Sequence, residues 1–238
     1  MRRSEINDAV RYAERWLRDL GVHLPPFASL TPDELSARRH ELSGILVPRL
    51  GWDVTDFGSG RFERTGLTLI TLRNGLAGDG DSAPAPRPYA EKLLVVRDGQ
   101  RTPLHTHRVK TEDIVHRGGV GDLVIELRTG DPDEGPRDGS ITVWTDGTPT
   151  TLPSGGHLVL RPGESVTLRP GDYHAFWADG GTVLAGEVSS VNDDATDNVF
   201  VDASPRFSAV VEDAPPYRLL VSDYPGLEVP AAEVEEPS

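Results

Sequence analysis

Residues 99–119 read GQRTPLHTHRVKTEDIVHRGG, and their reading decides the fold. His105 and His107 stand two apart, with Glu112 five residues further on. Side chains two apart on an extended strand point to one face, so both imidazoles aim into whatever that strand lines. A carboxylate arriving where the strand bends closes on the same point. Imidazole nitrogens with one carboxylate oxygen suit Mn, Fe, Zn, Ni or Co and leave coordination positions open. The competing reading is a pair of surface histidines on a polar loop, since a two-histidine match alone discriminates weakly.

Composition bounds the rest. A chain of 238 residues is long enough for one large all-β domain with a buried core, or for two small domains. With 25 Gly and 20 Pro, many short strands joined by turns are favoured over long helices. There is no cysteine, so neither disulfides nor thiolate ligands are available and a metal must be held by nitrogen and oxygen. No apolar run approaches a membrane span. The start, MRRSEINDAVRYAERWLRDL, is basic but lacks an apolar core with a cleavage site, so the expected compartment is the cytoplasm. A net charge of −14 opposes nucleic acid and anionic membranes as partners and favours a neutral small molecule over a polyphosphate.

Outward from the opening stretch, the N-terminal part is helical. Ser4 caps a first helix with apolar positions Ile6, Val10, Ala13, Leu17 and Leu20, ended by Gly21. Thr31-Pro32-Asp33-Glu34 predicts a second helix, running to about 40–45 and stopping before Gly51. The two are expected to cover one end of a β-domain. From Trp52 onward, short apolar alternations broken by Gly, Pro, Asn and Asp predict strands at 67–72, 92–97, 103–107, 122–127, 141–145, 157–160, 165–168, 174–177 and 183–188, with one more at 218–222. Asp146-Gly147 reads as a hairpin turn. Residues 75–88 read as a loop and 225–238 as an acidic, Pro-rich, flexible tail. The spacing fits an all-β jelly-roll barrel of two sheets, organised as a single domain over 1–224 with a helical cover over about 1–50.

A second block, GESVTLRPGDYH, lies at 163–174, where Pro170-Gly171 turns and His174 opens a strand. A third imidazole there completes a three-histidine, one-carboxylate set inside a barrel. Gly99, His105, His107, Glu112 and Gly119 agree with the first cupin motif at every fixed position. The second motif is met more loosely: Gly163, Gly171 and His174 fit, but the proline adjoins Gly171 and Ala178 stands where Asn is usual. Longer stretches resemble the D-lyxose isomerase family: LPPFASLTPDE, LGWDVTDFGSG, FERTGLTLITLRNG, YAEKLLVVRDGQRTPLHTHRVKTEDIVHRGG, LRPGESVTLRPGDYHAFWA and GEVSSVNDDATDN, spread over 24–198. The resemblance implies a cupin double-stranded β-helix, a homodimer, and a divalent metal, Mn2+ before Co2+, Ni2+ or Zn2+. It further implies His105, His107, Glu112 and His174 as ligands, and reversible aldose–ketose isomerisation of D-lyxose and D-xylulose, with D-mannose and D-fructose as related substrates.

Such a reaction moves a proton between C1 and C2 while a Lewis acid polarises their oxygens, so a general base must reach both carbons. Lys110, inside the ligand loop, is a base or a donor to a sugar oxygen, its amine pushed toward neutrality beside a cation, or else a solvated lysine. Glu187, in the apolar LAGEVSS, faces either the pocket or solvent, depending on register. Asp193 and Asp194 offer a second acid or hydroxyl ligands, against a plainly solvated acidic loop. Phe176 shares the face of His174 and would wall the sugar or simply fill the core, while Trp177 points away. Lys92, an unexpected charge near a strand start, either reaches a sugar hydroxyl or is an exposed lysine, and Arg117, for the substrate, and His116 are the weakest candidates. The alternatives in function are another metal cupin, such as a dioxygenase or sugar-phosphate isomerase, and a sugar-sensing module. No helix-turn-helix candidate follows the barrel, and the acidic charge opposes the last of these.

Overall fold

Strand alternation, with side chains pointing by turns to a wet and a dry face, builds this chain. The computed structural model describes residues 1–76 and 87–227. Among them are fourteen strands: β1 (Gly51–Thr55), β2 (Leu67–Arg73), β3 (Tyr89–Val96), β4 (His105–His107), β5 (Glu112–Gly119), β6 (Asp122–Asp131), β7 (Gly135–Pro136), β8 (Ser140–Thr145), β9 (Thr148–Pro153), β10 (Gly156–Leu160), β11 (Ser165–Leu168), β12 (Asp172–Asp179), β13 (Val183–Ser190) and β14 (Asn198–Phe200). One sheet runs β1-β2-β3-β13-β5-β11-β8-β9 and the other β10-β6-β12-β4-β14, with β7 beside β6. Every pairing between these strands is antiparallel. This is the jelly-roll expected from the strand spacing.

The core lies between the sheets. Leu69, Leu94 and Ile114 from the first meet Ile125, Leu127 and Phe176 from the second, each such side chain contributing about 1.5–3 kcal/mol by leaving water. A second apolar layer sits outside the eight-stranded sheet. There α1 (Arg3–Asp19) lays Ile6, Val10, Ala13 and Leu17 against Trp52, Ile70, Val95 and Leu184. The helix thus covers a sheet face rather than the end of the barrel, and Leu20 stays exposed.

Several expectations are corrected. Arg2, not Ser4, caps α1, with Glu5 accepting the Arg2 amide at 2.8 Å; Ser4 is instead bound by Asp213. The Thr31 capping box forms, but its helix α2 ends at Ala37 (Pro32–Ala37), and a separate turn, α3, follows at Ser43–Leu46. Residues 36–41 bury nothing, and a short helix without a packed face does not propagate. The strand expected at 218–222 is reduced to one parallel bridge, Trp52 to Leu220. Strands β1, β5, β7, β9 and β14 are additional to those expected from the sequence. Most of the loop at 75–88 and of the tail at 225–238 lies outside the described residues; where the tail begins, Tyr224–Leu227 form a 3-10 turn.

Candidate active site

The two sheets place their inward polar residues opposite one another. From the six-stranded sheet, β4 supplies His105 and His107 and β12 supplies His174, which is paired directly with His105. Potential ligand atoms of the three imidazoles lie within 4.8 Å of one another. From the eight-stranded sheet, β5 opens with Glu112, whose Oε1 is 3.0 Å from His174 Nε2 and 3.4 Å from His107 Nε2. Register settles Glu187: it shares the inward face of β13 with Val183, Ala185 and Ser189, opposite Lys92 of β3 and Ile114 of β5.

Buried charges need partners, and here they alternate in sign. Lys110 Nζ is 2.6 Å from Glu112 Oε2 and 2.9 Å from Glu187 Oε1. Lys92 Nζ is 3.2 Å from Glu187 Oε1, 2.6 Å from Asn192 Oδ1 and 3.6 Å from Asp194 Oδ1. Arg206 then joins Asp194 at 3.1 Å to Asp53 at 2.7 Å. Carboxylates and cations thus alternate from Glu112 through Lys110, Glu187, Lys92, Asp194 and Arg206 to Asp53.

Proton affinities follow from this packing. Burial, then the neighbouring imidazoles, holds His105 well below the ordinary histidine value; burial and then Lys110 lower His107. Both are therefore neutral nitrogen donors at neutral pH. Burial alone would raise Glu112, but Lys110 and then His107 hold it well below the carboxylate range. Glu187 is likewise lowered against its burial by Lys110 and Lys92. Lys110 lies among carboxylates as well as beside the imidazoles. Burial favours its neutral form, yet Glu112 and Glu187 more than offset that and push it above the ordinary lysine value.

The donor set suits a divalent ion. His105 Nδ1 lies 2.9 Å from the Pro103 carbonyl and His174 Nδ1 lies 3.1 Å from the Asp172 carbonyl. Carbonyls only accept, so Nδ1 carries the proton in both and Nε2 presents its lone pair to the cavity. His107 is buried with no hydrogen bond at either ring nitrogen, a costly arrangement unless something else engages the ring. Three nitrogens and a carboxylate oxygen match the preferences of first-row divalent metals.

Of the residues singled out in the sequence, His105, His107, Lys110, Glu112, His174, Glu187, Lys92, Asp194 and Phe176 line one cavity. Three do not join them. Arg117 is exposed, because β5 turns Glu112, Ile114 and His116 inward and the residues between them outward. Asp193 is occupied by its own turn, accepting from the Ala195 amide at 3.0 Å and the Thr196 hydroxyl at 2.6 Å. His116 is buried but bonded to the Gly121 carbonyl at 2.9 Å. Sequence reasoning missed Arg206 and Phe200, which also line the cavity, and Asp53 behind them. Asp53 gave a usable signal, as a lone acid in the buried strand GWDVT; Arg206 lies in irregular chain and gave none.

Comparison with known proteins gives the family. A family model for D-lyxose isomerase matches residues 1–224. Over 229 residues the chain is 45% identical to a D-lyxose/D-mannose isomerase of Escherichia coli O157:H7 and 43% identical to one of Serratia proteamaculans, in each case covering 94% of this chain and 98% of the relative. Among solved structures, L-ribose isomerases of Cellulomonas parahominis, with L-ribose, and Geodermatophilus obscurus superpose with TM-scores of 0.58 and 0.54 at 17% and 19% identity. Each covers 89% of this chain and 98% of the other; at such identity the likeness speaks for a shared cupin-type fold. Its length matched nearly end to end by these relatives, the chain belongs to the D-lyxose isomerase family of sugar isomerases.

Proposed function

We propose that the protein interconverts D-lyxose and D-xylulose, and D-mannose and D-fructose, through an enediol, with Mn2+ held by His105, His107, Glu112 and His174. The observation that carries this reading is the buried Glu187 carboxylate between two lysine ammonium groups, beside the three imidazoles. A divalent ion held there would supply Lewis acidity to the reacting end of the sugar.

The chain's own groups do the rest. Glu187, kept ionised by Lys110 and Lys92, takes the proton from C2 and returns it to C1 on the same face of the sugar. Lys110, kept charged by its carboxylates, donates to O1 as charge develops there and recovers a proton from O2, so atoms and charge balance over the cycle. Lys92 and Asp194 bind hydroxyls further along the sugar, and Phe176 and Phe200 exclude water beside its C–H face. Residues 1–224 act as one unit, as a homodimer in the cytoplasm; among the described residues no helix is long and apolar enough to cross a membrane.

A turnover panel of aldoses and ketoses, run on metal-stripped protein reconstituted with each ion, tests substrate and metal together. Glu187→Gln should leave metal content unchanged and lower turnover about 10²–10⁴-fold; near-normal turnover removes Glu187 as the base. In heavy water the enediol route places deuterium at C2 of recovered substrate, whereas its complete absence would favour a hydride shift.

A further inference from the structure

The acidic loop after β13 holds a carboxylate that the mechanism above does not use. Asp197 is buried. Its Oδ1 accepts the amides of Arg108 at 3.0 Å and Val109 at 2.7 Å, and its Oδ2 accepts the amide of Lys110 at 3.2 Å. The Asp197 carbonyl accepts from Arg108 as well, at 3.0 Å. Three successive amides converging on one carboxylate form an anion nest, and hydrogen bonds to a charged acceptor are the strong kind. The segment so gripped connects His107 to Lys110.

Asp197 also reaches the imidazole cluster. Its Oδ2 is 3.5 Å from His107 Nδ1, longer than a hydrogen bond but close enough to favour a proton on that nitrogen. His105 and His174 are oriented from behind by backbone carbonyls. His107 has no such carbonyl, and Asp197 stands where one would be. A carboxylate behind a ligating imidazole fixes its tautomer and raises its basicity.

We propose that Asp197 is a positioning residue: one carboxylate sets the ring of His107 and grips the segment that carries Lys110, so that the metal-facing and sugar-facing groups are held by the same side chain. The inference rests on the reading of the three imidazoles and Glu112 as a divalent-ion site. Metal-stripped full-length protein, titrated with Mn2+ in a calorimeter, tests it. Asp197→Asn should weaken binding about 10–100-fold, Asp197→Glu should recover part of the loss, and Thr196→Ala, which disturbs the same turn away from His107, should bind like the parent. Affinity of Asp197→Asn within about threefold of the parent, or an equal loss in Thr196→Ala, overturns the proposal. A parent that binds no Mn2+ fails the site reading itself. If Asp197→Asn does not fold, the parent labelled with 15N-histidine and loaded with Zn2+ decides by its NMR spectrum: a protonated Nδ1 on His107 supports the proposal, and an unprotonated one overturns it.

Discussion

Arg206 shows how much one side chain carries. It is the cation between the buried Asp53 and the half-buried Asp194. Burial pushes the Asp53 carboxyl up and Arg206 pulls it back only in part, while Asp194 is held well below its ordinary value, first by Arg206 and then by Lys92. Arg206→Leu would strand two acids in the interior. Removing one partner of a buried pair costs about 3–5 kcal/mol, to be read as a lower urea midpoint with unchanged slope on metal-stripped protein. The residues legible in the sequence were those on a two-residue period, where strand geometry dictates a shared face: His105 with His107, and His174 with Phe176. Arg206 and Asp197 sit in irregular chain, where no period links sequence position to direction. For the same reason Asp193 and Asp194 looked alike in sequence, and only the fold separates the acid in the cavity from the one capping its own turn.

Elements were legible where their interior residues are apolar. Strand β5 escaped notice because two of its three buried inward positions are Glu112 and His116, so its alternation reads as polar throughout. Strand β9, TPTTLP, carries two prolines and is tolerated only because it closes the edge of its sheet. The turn before it was readable: Asp146 and Gly147 take φ of +48° and +79°, the paired left-handed geometry that a two-residue hairpin requires. At the far end of β5, Gly119 has φ +104°, and a Cβ there would meet the Thr182 carbonyl oxygen at 2.2 Å. Gly119→Ala therefore combines backbone strain with a backbone clash, whereas Gly147→Ala, with open space around it, carries strain alone. We expect about 1–2 kcal/mol for Gly147→Ala and a larger loss for Gly119→Ala, compared by thermal melting.

Over the whole molecule, the irregular segment after β14 straps the N-terminus to the barrel. Arg3 is bound by Glu212 and Asp223, the Met1 ammonium by the Ala209 carbonyl, and Ser208 bonds Asp56. The hydrogen bond from Arg3 lowers Glu212; Asp56 is lowered because Ser208 and the Gly58 and Gly60 amides outweigh its burial. A carboxyl lowered by folding stabilises the folded state fully above its ordinary value, 4.5 for Glu and 3.8 for Asp, and the gain is lost as pH falls through the lowered value. Melting temperature should therefore fall as pH drops below about 4.5. Asp56→Asn should melt lower at neutral pH and lose less on acidification, as followed by circular dichroism. A parallel acid response in parent and variant would remove Asp56 from this role.

The histidines hang from one wall of the barrel, and Glu112 from the other. An ion gripped by all four would rivet the walls together, so chemistry and mechanical cohesion would share a single fastening. Mn2+ at a hundred times its dissociation constant should then add about 2.7 kcal/mol of stability, and a chelator should slacken the shell as it silences the enzyme.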